Sequence, residues 1–195
     1  MIITTGILKE ELSSYANPSA KIRQMVRNQE LFPIIRGYCE TNRETPGHSL
    51  APIILGTSYL SFEYALSVYG MIPEAVYVYT CASLGKRKSK FFNTLFGQFN
   101  YRDVPETVFH LDLVYRVENG YAYQIASPEK ALCDLLYTLS PVGNQKAWGA
   151  LLFEDLRMDE EDFRSLDLLK MINLAGYYKT QNHRLLQAYF RKVLK

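Results

Sequence analysis

One segment of the chain constrains the fold most strongly, because it carries both a helix start and a core-facing pattern. Ser127 is a capping residue, and Pro128 after it favours the first helical position. Apolar side chains then recur at helical spacing: Ala131, Leu132, Leu135, Leu136 and Leu139. Pro141 lies just beyond the last of them. The spacing predicts a helix with one buried face, which other elements must cover.

A second pattern, the alternation of apolar side chains, is typical of strands. It occupies residues 75–81, 108–117 and 121–125. Asn119-Gly120 separates the last two runs and predicts a tight hairpin turn. The aromatic segment 91–104 is interpreted as paired short strands. Together these elements predict an α+β fold, in which residues 50–195 form a larger α+β domain around a small antiparallel sheet.

Composition excludes several classes of protein. The chain of 195 residues is 48% hydrophobic and 22% charged, which is typical of a globular protein rather than a disordered one. No apolar run approaches the roughly 18 residues that a membrane span needs, and the basic start of a secretory signal is lacking. Three distant cysteines form no C-x-x-C pair. We therefore expect a cytoplasmic protein with no membrane contact, no cofactor and no metal ion.

The first 43 residues have the pattern of a small separate domain. After a capped short helix, Asn17-Pro18 is a strong start for a second helix. Residues 31–35 are apolar and β-branched, as in a strand, and a glycine that permits a turn follows them. This order predicts a winged helix-turn-helix-like module over residues 1–43. The polar segment 41–49, which contains Pro-Gly, is the predicted linker to the larger domain.

The predicted second helix carries the strongest candidate binding surface. The face opposite its apolar residues bears long donors: Lys21, Arg23, Gln24 and Arg27. In a helix that enters the major groove, Arg and Gln make bidentate contacts to base edges and Lys holds phosphates. An amphipathic surface helix with a solvated face has the same pattern. DNA binding and simple solvation are therefore the two interpretations of this face.

A second basic surface is predicted between Thr80 and Arg102, where five basic residues and no acidic ones occur. The basic residues are Lys86, Arg87, Lys88, Lys90 and Arg102. Aromatic residues are interleaved with them, and such a mixture can bind nucleic acid. The alternation of Phe96, Phe99 and Tyr101 is more typical of a filled sheet core, with the basic residues at a solvated hairpin tip. The tip remains a candidate contact for a phosphate or an acidic protein partner.

No catalytic site is predicted. Glu129 and Asp134 lie on different faces of one predicted helix, whereas an acid and a base must meet across a pocket. Glu129 is favourable at a helix N-terminus, and Lys130 with Asp134 forms an i, i+4 pair. No motif joins a nucleophile to its base, so we expect that the protein is not an enzyme. The remaining alternative is an enzyme acting on nucleotides or phosphoryl groups, which requires a deep pocket gathering Lys86, Lys130 and Asp134.

Three segments stand out together by their order and spacing. They are residues 59–74 (YLSFEYALSVYGMIPE), 96–101 (FGQFNY) and 125–137 (IASPEKALCDLLY). This combination resembles the AbiEi-type antitoxins of abortive-infection (type IV) toxin–antitoxin systems. The resemblance implies a bacterial cytoplasmic antitoxin whose N-terminal winged helix binds operator DNA and represses its own operon. It also implies that the C-terminal domain counters a co-encoded nucleotidyltransferase-like toxin.

The resemblance also assigns residues of the module. The basic face described above falls on the family's recognition helix, and Arg36 and Tyr38 fall on its wing. Family members usually carry a further helix before Ile2-Ile3, so the module lacks its first helix and an apolar face is left open. Another part of the chain, for example the basic C-terminal helix, or a second copy would cover this face, and the second case predicts a homodimer. The alternative function is a protein-interaction antitoxin module without operator binding.

Overall fold

The structure is a computed structural model that describes residues 1–85 and 88–193. Its helices are α1 (Thr5–Glu11), α2 (Pro18–Arg27), α3 (Ala51–Ile54), α4 (Phe62–Val68), α5 (Glu106–Phe109), α6 (Pro128–Thr138), α7 (Gln145–Ala150), α8 (Glu160–Arg164), α9 (Leu168–Tyr178) and α10 (Gln181–Val193). Its strands are β1 (Ile2–Thr4), β2 (Phe32–Ile35), β3 (Tyr38–Glu40), β4 (Ser58–Leu60), β5 (Val78–Ser83), β6 (Lys90–Thr94), β7 (Gly97–Asp103), β8 (Leu113–Glu118) and β9 (Tyr121–Ala126). A 3-10 turn covers Gly47–Leu50, and a π-helical turn covers Leu151–Asp155.

The helix starts predicted from capping residues are confirmed. At the start of α2, the side chain of Asn17 accepts a hydrogen bond from the backbone N–H of Ala20 at 2.9 Å. At the start of α6, the Ser127 hydroxyl accepts one from the backbone N–H of Lys130 at 3.2 Å. A proline occupies the first turn of both helices, where no intrahelical N–H is needed. These two helices therefore begin where short-range chemistry alone places them.

The N-terminal module contains three strands rather than the single strand predicted. β1 and β2 both pair antiparallel with β3, in the order β1-β3-β2. The two helices and this sheet share a small core of buried residues: Ile3, Leu8, Ile22, Leu31 and Cys39. Helix, turn, helix and hairpin follow in the order expected of the winged module. β1 was missed because a strand of three residues carries no alternation signal, and its partner strand lies far along the chain.

The module is not an independent body, because its sheet packs against the larger region. Ile34 of β2 is 4% exposed and belongs to the main hydrophobic core. Ile2, Phe32 and Ile35 are partly buried against the same core. The larger region thus covers apolar residues of the module's sheet. The C-terminal helix α10 packs elsewhere, against α6, α7 and α9.

The α+β class is confirmed, but the main sheet is not the small antiparallel one expected. It has six strands in the order β6-β7-β5-β4-β9-β8. The pairs β5–β7 and β4–β9 are parallel, and the other pairs are antiparallel. The predicted β8–β9 hairpin is confirmed, with positive φ at both Asn119 (50°) and Gly120 (81°). The sheet is mixed because β4, which precedes this hairpin by many residues, inserts between it and β5, a pairing that no local pattern encodes.

The segment 41–49, predicted as a linker, packs against the larger region. Its Thr45 hydroxyl donates to the Tyr121 hydroxyl at 3.1 Å, and the Arg43 guanidinium donates to the carbonyl of Leu95 at 2.9 Å. Gly47 is buried against the Tyr79 ring and the backbone at Phe96. The connection between the two regions is therefore held at several points by the larger one.

Replacing Gly47 with alanine is expected to lower the free energy of unfolding by about 1–3 kcal/mol, the usual cost of overpacking a core. A Cβ there would lie 2.5 Å from Cε2 of Tyr79 and closer still to the carbonyl oxygen of Phe96. Gly149→Ala is the matched control, because a Cβ in α7 would meet nothing within 4 Å. That change should be neutral or stabilise by up to about 1 kcal/mol. Urea unfolding checks both, and equal midpoints would contradict the packed connection.

Candidate nucleic-acid interface

The helix α2 is anchored on one side and open on the other. Ile22 is buried, and Met25 and Val26 are partly buried against the module's small core. The helix ends at Arg27, and Gln29 then turns the chain with a positive φ of 59°. Because its apolar stripe is used inside the module, the orientation of α2 is determined by packing.

The predicted DNA-contacting side chains of α2 lie on its open side. Arg23, Gln24 and Arg27 are exposed. Lys21 is partly buried, with its ammonium 5.4 Å from the centre of the Tyr15 ring. Among the ion pairs of residues 1–85 and 88–193, none uses a cation of this helix. The face therefore carries positive charge that protein carboxylates do not neutralise.

The β2–β3 hairpin brings Arg36 towards the beginning of α2. Arg36 and Gly37 form the turn, and the φ of +96° at Gly37 favours a residue without a Cβ. Tyr38 follows at the start of β3 and is 38% exposed. A hollow of about 240 Å³ separates the turn from the helices, lined by Thr5, Lys9, Ser19, Ile22, Arg36 and Gly37.

Lys9 is a cation of this surface that the sequence analysis missed. It lies on α1, is exposed, and shares the hollow with Arg36 and Ser19. The only sequence signal was a lysine in the last turn of a short helix, which is ordinary there. Its proximity to Arg36 depends on the packing of α1 beside the hairpin.

The second predicted basic set is only partly available as a surface. Lys88 and Lys90 are exposed, whereas Lys86 and Arg87 lie outside the described residues. Arg102 is held by both carboxylate oxygens of Glu63, and its guanidinium lies 4.0 Å from the centre of the Phe62 ring. The charge of Arg102 is therefore neutralised by Glu63, although Arg102 lines the same hollow as Lys88.

The aromatic residues of this segment divide between core and surface. Phe96, Phe99 and Tyr101 are 7%, 0% and 0% exposed, so the interpretation as sheet-core residues is confirmed for all three. Phe91 is 58% exposed on the same strand pair. The core interpretation therefore does not extend to Phe91.

The third predicted set lies in a sealed cluster of polar side chains. The Lys130–Asp134 pair is confirmed, and neither side chain has any exposed surface. The Lys130 ammonium also donates to the hydroxyls of Tyr59 and Tyr178, each at 2.7 Å. Ser61 donates to the second carboxylate oxygen of Asp134 at 2.7 Å. The cluster joins β4, α6 and α9, and its hydroxyl partners were not predicted because they come from distant parts of the chain.

Burial dominates the electrostatics of this cluster. It lowers the pKa of Lys130, although the Asp134 carboxylate acts in the opposite direction. Burial and the same carboxylate raise the pKa of Tyr59 and Tyr178 well above the ordinary value for a phenol. With Lys130 at 0% and Tyr178 at 4% exposure, these groups lie away from solvent. Their arrangement holds an ion pair that is buried among the hydroxyl groups of Tyr59, Ser61 and Tyr178.

Glu129, beside this cluster, points to a different set of partners. Its carboxylate accepts from the Lys170 ammonium at 3.0 Å and from the backbone N–H of Asp167 at 3.1 Å. Burial opposes ionisation, but these hydrogen bonds together lower the pKa of Glu129. Glu129 and Asp134 thus face separate partners, as predicted from their spacing.

Within the ranges 1–85 and 88–193, no group of three or more histidine, cysteine or acidic residues could hold a metal ion. In the same ranges, no helix is long and apolar enough to cross a membrane. A scan of the chain against protein-family models finds no match, and no curated protein matches it either.

Proposed function

We propose that the protein is a DNA-binding transcriptional regulator of the antitoxin type, which represses its own operon through α2. The proposal rests on one observation above all: α2 is anchored through Ile22 while Arg23, Gln24 and Arg27 point away from the protein without carboxylate partners. A helix held in this way can enter a major groove without unfolding its support. The resemblance to AbiEi-type antitoxins supports the same assignment independently of the geometry.

The residues of the module divide by role on the proposed complex. Arg23 and Gln24, in the middle of α2, carry the donors suited to base edges. Lys21, Arg27 and Arg36 hold phosphates on either side of the groove, with Tyr38 beside the hairpin turn. Each phosphate that a cation neutralises releases counterions, so operator affinity should fall steeply with salt. A groove-reading helix and a phosphate-holding turn thus account for every predicted residue of the module.

Changing Arg23 to alanine should weaken binding to the promoter duplex by about 1–3 kcal/mol, the usual loss for a base contact. Arg27→Ala should weaken it on all sequences and reduce the salt dependence by about one released ion. The matched control is Arg164→Ala with Arg184→Ala, which removes two exposed arginines far along the chain. Fluorescence anisotropy on the promoter duplex measures all of them. Unchanged affinity in Arg23→Ala plus Arg27→Ala, relative to the control, would refute the proposal.

The second half of the proposed function is the neutralisation of a co-encoded nucleotidyltransferase-like toxin by the larger region. Its support is the resemblance carried by residues 59–74, 96–101 and 125–137. Co-expression with the toxin should restore growth, and the Arg23→Ala plus Arg27→Ala variant should still restore it. Rescue and co-purification without any promoter binding by the unaltered chain would select the alternative, a protein-interaction antitoxin module.

A further inference from the structure

The main sheet ends on each side in an edge strand, and the two edges differ in charge. β6 forms one edge and β8 forms the other. The β6 edge carries Lys90, with Lys88 shortly before it, and the sequence from Thr80 to Arg102 has no acidic residue. Two copies of this edge would repel each other, and lysine is a common protection of a free strand edge. The β8 strand contains no lysine, so it lacks this protection.

The backbone of β8 has unpaired groups along its outer side. β8 pairs with β9 on its inner side, and no other strand within residues 1–85 and 88–193 pairs with it. Glu118 and Tyr121 close the two-residue hairpin turn, so the N–H and C=O of Glu118 point towards β9. These directions alternate along an antiparallel strand. The N–H and C=O groups of Tyr115 and Val117 therefore point outward, away from β9.

The side chains beside this edge are apolar and exposed. Tyr115 and Val117 are each 68% exposed, and they share one face of the hairpin because side chains alternate along a strand. Their direct partners on β9 are Gln124 and Ala122, which are also exposed. A free strand edge next to exposed apolar side chains is a template for pairing with a further strand.

The opposite face of β8 carries one cation and one anion, Arg116 and Glu118. Among the ion pairs of residues 1–85 and 88–193, none uses Arg116, whose guanidinium lies 5.1 Å from the centre of the Tyr69 ring. The Glu118 carboxylate lies 2.9 Å from Nε2 of His48, and its side chain is 47% exposed. Because burial lowers the pKa of His48, the ring is neutral at neutral pH and leaves the charge of Glu118 in place.

These charges select one register for the pairing of β8 with a second copy of itself. In an antiparallel pair of identical strands, opposite residues share a face, so the two-fold axis passes at a residue that lies opposite itself. With the axis at Val117, Arg116 of each copy lies opposite Glu118 of the other. With the axis at Arg116, two cations meet, and with the axis at Tyr115, Glu118 meets Asp112. Of these three registers, only the one centred on Val117 places opposite charges across the ladder, which stabilises it.

We propose that β8 pairs antiparallel with β8 of a second copy, forming a homodimer whose two-fold axis passes at Val117. The two Val117 side chains meet at the axis, Tyr115 of each copy packs diagonally against them, and the outward backbone groups form a ladder between the copies. Arg116 pairs with Glu118 on the other face. A strand of uniform charge would attract one of these residues and repel the other, whereas a second copy satisfies both. The interface lies in the main sheet, away from the N-terminal module.

The oligomeric state of the full chain tests the proposal. Sedimentation equilibrium from about 1 to 100 µM, where small interfaces dissociate, should show a monomer–dimer equilibrium. Val117→Lys brings two ammonium groups together at the axis and should raise the dissociation constant of the dimer at least about tenfold. Tyr77→Lys is the matched control, because it places a lysine at an 87% exposed residue outside β8. The control should dimerise as the unaltered chain does, and circular dichroism checks that both variants fold.

Reversing the charges tests their pairing across the interface. Arg116→Glu should weaken the dimer, because two carboxylates then lie opposite each other on each side of the axis. Arg116→Glu plus Glu118→Arg should restore it, because the exchanged charges match again in the same register.

A disulfide crosslink tests the register without relying on affinity. The natural cysteines Cys39, Cys81 and Cys133 are buried, so a thiol introduced at the surface reacts alone. With copper phenanthroline as the oxidant, Val117→Cys should form a covalent dimer, since opposite Cα atoms in such a pair lie about 5.5 Å apart. Tyr115→Cys should not, because its two copies are displaced by about 13 Å along the strands.

The proposal is overturned if the unaltered chain sediments as a monomer at every concentration, or if Val117→Lys dimerises as tightly as Tyr77→Lys. It is also overturned if Tyr115→Cys crosslinks as fast as Val117→Cys, or if neither cysteine crosslinks a dimer that is present. None of these results depends on whether α2 binds an operator, because the samples contain no DNA.

Discussion

Replacing Lys130 with methionine is expected to lower the free energy of unfolding by about 3–5 kcal/mol, because it leaves the Asp134 carboxylate buried without its counter-charge. Both side chains are fully buried, so no water compensates for the missing ammonium. The hydroxyls of Tyr59, Ser61 and Tyr178 would still donate to Asp134, which limits the loss but does not neutralise the charge. Urea unfolding at neutral pH, with circular dichroism as the signal, measures the change.

A surface pair of the same spacing is the matched control. Glu160 and Arg164 are also four residues apart in a helix, but their side chains are 57% and 63% exposed. Arg164→Met should therefore change stability by no more than about 0.5 kcal/mol. The double variant Lys130→Met with Asp134→Leu should recover most of the loss, since it removes the unpaired charge. If Lys130→Met alone lowers the free energy of unfolding by less than about 1 kcal/mol, the Asp134 carboxylate does not carry the cost of an unpaired buried charge, and the prediction is wrong.

The second large effect is a loss of stability on mild acidification, through His183. Its ring stacks on Tyr178 with 4.3 Å between ring centres, and its Nε2 donates to the carbonyl of Cys133 at 2.9 Å. Burial lowers the pKa of His183 from its ordinary value of 6.5 to about 4. His183 is therefore protonated near pH 6.5 in the unfolded chain, whereas in the folded chain it stays neutral until about pH 4. Stability is full above that pH and should fall by about 2 kcal/mol between about pH 7 and pH 5.

Comparison with His183→Gln isolates this contribution. Glutamine cannot take up the proton, so the variant should lose about 2 kcal/mol less than the unaltered chain over the same pH range. Burial also lowers the pKa of His48, which adds to the slope of both proteins equally. The carboxylates Glu40 and Glu129 have lowered pKa values and begin to lose their contributions only at lower pH. Equal pH slopes in the two proteins would contradict the assignment.

The local features of the fold were predictable because their causes lie within a few residues. The caps at Asn17 and Ser127, the hairpin turn at Asn119-Gly120 and the cationic face of α2 all follow from short-range chemistry. In the same way, the alternation through Phe99 and Tyr101 indicated core positions correctly. A turn, a cap or an amphipathic face needs no knowledge of distant partners.

The features that the sequence analysis missed all depend on distant partners. The parallel pairing of β5 with β7 and the pairing of β1 with β3 join segments that no local pattern connects. Arg102 was predicted as a free cation, but Glu63 lies beside it once α4 packs against the sheet. The cluster around Lys130 likewise depends on Tyr59, which lies far before Lys130 in the sequence, and on Tyr178, which lies far after it. In each case, the pairing of a strand or of a charged side chain is determined by a residue that is distant in the sequence.

The amino-acid sequence by itself determined where α2, α6 and the β8–β9 turn begin, that Phe99 and Tyr101 face the core, and that a basic helix lies near the start of the chain. Only the tertiary structure decided which charges stay exposed and which are sealed, because desolvation depends on what packs around a group. It left Arg23 and Arg27 exposed and enclosed Lys130 with Asp134. The sequence determines which side chains are present, but the packing of the folded protein determines which of them are exposed to a ligand.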